Sequence, residues 1–284
     1  MLPPVLPVAV GLCVLYGPIY VQLAQTLWRN EINSHAPLIA AVVTALLWAM
    51  RHDLSALPPS RNFLSGIGVL VMGLLLAVTG VLNDFPLLSM ASQIPVLAGI
   101  MLILFGGAGV RRAWFPLLFL VFMVPLPGIM IDTLTGQLKE LLSAISVDLL
   151  HTFGYPVARS GVVIVVGQYQ LLMADACSGL HSVVALAALG VLYVHLTMGG
   201  GSERNWRHRS HAALMLAAII PIALSANLLR VLLLALTTYH LGDAVGRNWH
   251  ETMGVLVFLA ELGMLALLDR FLQAVARRRT TRQA

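Results

Sequence analysis

The residues able to do covalent chemistry are few, and one of them stands where a helix should begin. Cys177 lies in Ala174–Asp175–Ala176–Cys177–Ser178–Gly179–Leu180–His181, where an alternating run from Arg159 to Met173 gives way to a long apolar segment. The first N–H groups of a helix and the positive end of its dipole favour thiolate over thiol. The same N–H groups, with Ser178 beside them, can receive an oxyanion. A small residue packed at a helix start would give the same local pattern. The other cysteine, Cys13, falls inside the first hydrophobic segment and is expected, with Tyr16, to face neighbouring helices.

Arg230 is the second residue that demands a chemical reason. It lies inside an apolar run, where charge is costly, so it should face a bundle interior or a wet cavity. Snorkelling to the outer headgroups is the simpler alternative. Asn227, three residues earlier, shares its helix face and can orient it. Among the histidines, His250 precedes the last apolar segment, His181 comes one turn after Cys177, and His35 stands at the mouth of the second segment. His250 and His181 are competing candidates for a base. His195 and His240 read as ordinary interfacial histidines.

The elements that must position these groups are membrane helices. With 59% hydrophobic and 10% charged residues and a mean hydropathy of +0.88, the chain reads as an all-α polytopic membrane protein. One integral membrane domain over 1–284 is expected, with eight spans near 5–27, 36–50, 63–82, 87–109, 114–132, 178–198, 212–238 and 252–271. The first span should stay as an anchor, since no basic leader or cleavage site precedes it. Residues 272–284 form a basic tail. Pro125 and Pro127 should kink or end the fifth span early. From Ile131 to His151 apolar residues recur at helical spacing with polar ones between, which predicts an amphipathic helix lying on the membrane surface. Val162–Val166 and Tyr169–Met173, joined by Gly167–Gln168, predict a short β-hairpin leading to Cys177.

Arginine placement sets the expected topology. Of the 17 Lys and Arg, 12 fall at Arg51/Arg61, Arg111/Arg112, Arg204/Arg207/Arg209 and the tail from Arg270. Eight spans put all four places on one side, the cytoplasm, with both termini. Such a distribution is a topology signal and not a nucleic-acid surface. Cys177, His250, His35 and the outer half of the Arg230 helix then share the opposite side. There Cys177 can attack a peptide carbonyl to form a thioester, with His250 taking the thiol proton and returning it to the leaving amine. Arg230 can stabilise the thiolate or the developing oxyanion. No cofactor is expected, and the outer polar residues do not offer the ligand spacing of a zinc site.

These residues carry a resemblance. Ala176–Cys177–Ser178–Gly179–Leu180, the run Pro221–Ile222–Ala223 through Ala226–Asn227–Leu228–Leu229–Arg230–Val231, and His250 followed by Gly254 and Phe258 are similar to the exosortase/archaeosortase family. Phe122–Met123–Val124–Pro125–Leu126–Pro127 and Ser34–His35 also match, although Ala36 stands where the family commonly has glycine. Thr238–Tyr239–His240–Leu241–Gly242–Asp243 resembles the exosortase B subtype. The resemblance implies a bacterial inner-membrane cysteine protease or transpeptidase with Cys177, Arg230 and His250 as its catalytic residues. It implies substrates that are exported proteins ending in a Pro-Glu-Pro motif, a transmembrane helix and a basic tail, and a link to exopolysaccharide production. Water, a lipid or a glycan would each be compatible as the acceptor. The alternatives are a transporter that uses Arg230 as an intramembrane ion or substrate site, and a non-catalytic scaffold for polysaccharide export.

Reporter fusions test the topology. Fusions after Arg112 or Arg209 should stay cytoplasmic, and fusions near Gln168 or Asp243 should be exported, as read by paired phosphatase and fluorescent-protein activities. An odd number of spans would put Cys177 and His250 on opposite sides.

Overall fold

Leu6, Leu64, Leu82, Ile220 and Leu259 stand exposed on helix faces, an arrangement that water would penalise and lipid does not. The computed structural model describes residues 5–29, 33–58, 63–172, 179–198 and 206–281. The chain divides into two units, Met1–Gly128 and Ile129–Ala284.

The first unit contains α1 (Val5–Gln25), α2 (Ala36–Ala49), α3 (Arg51–Ser55), α4 (Phe63–Leu82), α5 (Pro86–Ala91), α6 (Gln93–Arg112) and α7 (Trp114–Phe119). Its tightest seam is between α4 and α6. Gly66, Gly73 and Gly80 repeat every seven residues on one face of α4, and all three are buried. A Cβ on Gly66 or Gly73 would come within 2.9 Å of the Ile103 nitrogen or 2.7 Å of the Val96 nitrogen. Gly99 of α6 returns the contact, because a Cβ there would lie 2.6 Å from the Leu70 nitrogen. Helix backbones approach this closely only where side chains are absent, which is how helices associate when lipid offers no hydrophobic drive. Polar contacts hold α1 to the same region: Tyr16 Oη lies 2.9 Å from Ser92 Oγ, and Tyr20 Oη donates to Gln93 Oε1 at 2.8 Å. The buried stripe of α1 is Tyr16, Ile19 and Leu23. Cys13 is exposed, so the expectation that it faces neighbouring helices does not hold. The stripe begins only where α1 reaches its polar partners.

After α7 a 3₁₀ turn, Leu120–Met123, gives way to extended backbone at Val124, with φ −75° and ψ 117°. The residue before a proline is driven out of the helical region, so Pro125 and Pro127 end the helix. A continuous span over 114–132 is therefore replaced by two helical pieces.

The second unit contains α8 (Gly128–Thr152), strands β1 (Val157–Ser160), β2 (Val163–Val166) and β3 (Tyr169–Leu172), then α9 (Gly179–Met198), α10 (Trp206–Leu241) and α11 (Asp243–Thr281). The strands form one antiparallel sheet in the order β1–β2–β3, with Val166 opposite Tyr169 across the Gly167–Gln168 turn. Gly167 takes φ +59° there, and glycine reaches this region without strain. Leu142 and Leu150 of α8, Ile164 and Val166 of β2, and Val231, Leu234 and Ala235 of α10 close one core.

By length and composition, four stretches among the described residues can cross a membrane: Leu6–Gln25, Phe63–Leu82, Pro86–Arg112 and Ser210–Leu241. The broken pair Trp114–Met123 and Gly128–Thr152 would make a fifth, while Ala36–Ala49 and Val183–Thr197 are apolar but shorter. Eight spans is more than these lengths establish, though a multi-pass membrane protein is plain.

The glycine seam gives a paired test. Gly73→Leu must push α4 off α6 and should cost about 1–3 kcal/mol. Gly68→Leu, at a position with nothing within 4 Å of an added Cβ, should be neutral or slightly stabilising. Thermal midpoints of the detergent-solubilised variants distinguish the two.

Candidate functional site

Gly242, with φ +87°, ends α10 and lets the chain reverse into α11. Helices joined by so short a turn lie antiparallel, and residues equally far from Gly242 face each other. Two contacts fix that register. A Cβ on Gly254 would lie 3.4 Å from a terminal nitrogen of Arg230, and both residues are twelve positions from the turn. Further along, Ile219 and Leu265 share one core with Leu186, Met215 and Ala223, and both reach the Cβ site of Gly190 on α9, at 2.7 and 3.8 Å.

Arg230 is only 8% exposed. An arginine at the centre of a membrane helix costs about 2.5–3.5 kcal/mol, so a buried one requires a dedicated seat. Gly254 provides it, since a Cβ there would already touch the guanidinium at 3.4 Å and a side chain larger than alanine's would occupy its volume. Snorkelling does not describe this side chain, which turns into the α10–α11 seam. Asn227 lies one turn away on the same face and is 2% exposed. Among the described residues, neither its amide nitrogen nor its amide oxygen has a hydrogen-bond partner. A buried amide left in that state is expensive.

Helical repeat extends the same register to the chemistry-bearing ends. Eleven residues make just over three complete turns. Counting back from Gly190, Ile219 and Leu265 to the Arg230 level reaches Gly179, Arg230 and Gly254 together. The first residue of α9 therefore stands within about one turn of the level of the guanidinium. Cys177 and Ser178 lie outside the described residues. Position 250 is one turn before Gly254 on the same face of α11. Position 181 is about half a revolution around α9 from Gly190, away from the stripe that meets α10 and α11. Of the two candidate bases, the backbone register puts the His250 position on the arginine's face and the His181 position on the opposite one.

The sheet steadies the same end of α10. Tyr155 and Tyr239 meet edge to face, with centroids 5.4 Å apart, and Tyr155 Oη lies 3.3 Å from His240 Nε2. A Cβ on Gly167 would touch the Tyr239 ring at 3.2 Å, so the β2–β3 turn lies directly on α10. His240 thus has a structural contact that sequence reading did not assign. His35 belongs to the other unit, where its Nε2 lies 3.0 Å from the Phe122 carbonyl oxygen. That bond ties the start of α2 to the proline break.

Two acids escaped the sequence reading although both lie in the last apolar run. Glu261 is fully buried and Asp269 is 5% exposed. Asp269 accepts hydrogen bonds from Tyr193 and from Gln273, the latter at 2.9 Å, and lies 2.8 Å from His211 Nε2. This clasp joins α9, α10 and α11 at the end remote from Arg230. The signal that singled out Arg230, a charge within an apolar helix, was present for both acids.

A family model described as transmembrane exosortase matches residues 27–267, well over half of the chain. No curated protein and no solved structure matches it.

The seat at Gly254 can be filled by mutation. Gly254→Ala places its methyl against the flexible tip of Arg230 and should be tolerated. Gly254→Leu must expel the guanidinium into apolar surroundings and should lower the thermal midpoint by several degrees, at about 2–4 °C per kcal/mol for a chain of this size. Scanning fluorimetry of the purified variants measures both.

Proposed function

We propose, from the premise that this chain belongs to the transmembrane exosortase family, that it cleaves C-terminal sorting signals of the Pro-Glu-Pro type through a cysteine thioester. The reaction lies at the periplasmic face of the bacterial inner membrane, with both termini cytoplasmic. Cys177 is the nucleophile, His250 the proton carrier and Arg230 the fixed cation beside the thiolate or oxyanion. His181 and Ser178 take supporting roles, and Asn227 shares the helix face of Arg230. The substrate is anchored by its own transmembrane helix and basic tail, which holds its motif at the outer surface. Resolution of the thioester by water releases the protein, and resolution by a lipid or glycan amine or hydroxyl attaches it, in keeping with a link to surface-protein and exopolysaccharide export.

One observation carries this reading: the buried guanidinium of Arg230 against Gly254, which stands one turn after position 250 in the same helix. A cation in a poorly hydrated seat acts strongly on charge that develops nearby and needs no reorganisation when the reaction occurs. Thiolate chemistry gains from it twice, through a lowered thiol pKa and through a stabilised tetrahedral intermediate.

Co-expression with a Pro-Glu-Pro-tailed reporter, read by the mass of its C-terminus, tests the assignment. Cys177→Ala should leave the reporter intact, and Cys177→Ser should lose about 10³-fold or more, because an alkoxide forms far less readily than a thiolate. Arg230→Lys, which keeps charge but loses the planar fork, should retain a small fraction of activity at most. His250→Ala should be slower than His181→Ala. A membrane-impermeant thiol reagent should label Cys177 from the outer side, and bound substrate should protect it. Normal cleavage by Cys177→Ala would end the enzyme reading, and a dead His181→Ala beside an active His250→Ala would reassign the base.

A further inference from the structure

Strand β1 ends the sheet, and the parity of its pairing decides which backbone groups face away from it. The Gly167 N–H donates to the Pro156 carbonyl oxygen at 2.9 Å, so Pro156 points at β2. Successive residues of a strand alternate. Ala158, paired with Val165, and Ser160, paired with Val163, therefore point the same way as Pro156. The N–H and C=O groups of Val157 and Arg159 turn outward, on the side where the three-stranded sheet ends. Sheet edges of this kind capture extended peptides, with main-chain bonds giving affinity and alternate side chains giving specificity.

Charge indicates which peptide. Arg159 is exposed, and its Nη1 donates to the Glu140 carbonyl oxygen at 3.4 Å and to Ser143 Oγ at 3.5 Å. Both acceptors are neutral and both bonds are long. The ion pairs among the described residues lie elsewhere, at Arg112–Asp53 and His211–Asp269. A residue laid directly across from Arg159 puts its side chain on the same face, with Cα atoms about 5.5 Å apart, and an acid is favoured there. The residues on either side of that acid turn their own N–H groups away from β1. Proline has no N–H to leave unpaired, and it is tolerated on an edge strand. An acid flanked by prolines thus matches this edge position by position. By the same parity the other edge, β3, turns out Gln170 and Leu172, which carry no charge. Beside β1 a hollow of about 560 Å³, lined by Tyr155, Val157 and Ala158 among others, has room for a side chain from the peptide's flank.

We propose that β1 is the docking edge for the substrate. The Pro-Glu-Pro segment adds to the sheet as a fourth, antiparallel strand, with its glutamate against Arg159 and its prolines at the two positions that ask no bond of β1. The identity of the peptide rests on the function proposed above, while the edge and its cation do not. Arg159 pairs with Ile164 and Ile164 with Leu171, so Leu171 lies two strand spacings, about 10 Å, across the sheet. Six residues separate Leu171 from position 177, at most about 22 Å of chain. About ten further residues of extended peptide cover that distance to the nucleophile.

Anisotropy titrations of short fluorescent peptides against the full Cys177→Ala chain in nanodiscs test the docking. A Pro-Glu-Pro peptide should bind about fivefold tighter than Pro-Gln-Pro. Arg159→Gln should erase that preference, and Arg159→Glu should favour Pro-Lys-Pro. An unchanged preference in Arg159→Glu overturns the pairing, as does a parent chain that binds no peptide. Val157→Pro removes one outward N–H and should weaken binding about fivefold or more, whereas Gln170→Pro on the other edge should not. The reverse result overturns the choice of edge. If Val157→Pro fails to fold, hydrogen exchange of the parent chain decides: the peptide should protect the Val157 and Arg159 amides, and unchanged exchange there overturns the docking. Arg159-dependent binding by a chain whose wild type cuts no reporter would sink the proposed cleavage and leave the docking standing. Reporter cleavage at the wild-type rate by Arg159→Glu would overturn the docking alone.

Discussion

The second unit is arranged around the cost of holding one guanidinium away from water. Arg230 could reach headgroups only by leaving the seam, and Gly254 gives it a reason to stay, because the missing side chain is the space it fills. That exchange needs α10 and α11 to keep a fixed register, which the one-residue reversal at Gly242 sets and the Ile219–Gly190–Leu265 contact maintains. The aromatic cap of Tyr155, Tyr239 and His240 fixes one end of the seam, and the Asp269 clasp fixes the other. A charge in a low-dielectric site is useful to chemistry only if it cannot relax, and these contacts remove its freedom to do so.

Much of this was legible in the sequence because membrane helices advertise themselves. Apolar runs mark α1, α4, α6 and α10, and Arg230 stood out within one of them. The family match over 27–267 agrees with the resemblance carried by the cysteine, arginine and histidine segments. What the sequence hid was pairwise. Nothing in a glycine's identity tells whether it sits beside an arginine tip, as Gly254 does, or against a helix backbone, as Gly73 does. The exposure of Cys13 was hidden for the same reason, since a helical wheel gives a face but not which stretch of it has a neighbour. Glu261 was legible by the same signal as Arg230, a charge within an apolar run, and it is fully buried.

Strand β1 illustrates a subtler limit. Its sequence, Val157–Ala158–Arg159–Ser160, lacks the β-branched density of β2, and it is largely exposed. It is ordered by its partner: pairing with Val163–Val166 provides hydrogen bonds that its own residues would not have nucleated. Local propensity is weak evidence for a strand whose order comes from its neighbour.

The glycine seam of α4 and α6 has a consequence for biogenesis. Its contacts lie between two helices linked by the short α5 segment, and none of them waits on a residue beyond Ile103. The hairpin can therefore close during synthesis, before any of the second unit has left the ribosome. A nascent chain that zips its first helices by backbone contact shields their polar groups from lipid early, and the insertion machinery is then free to handle the charged helices that follow.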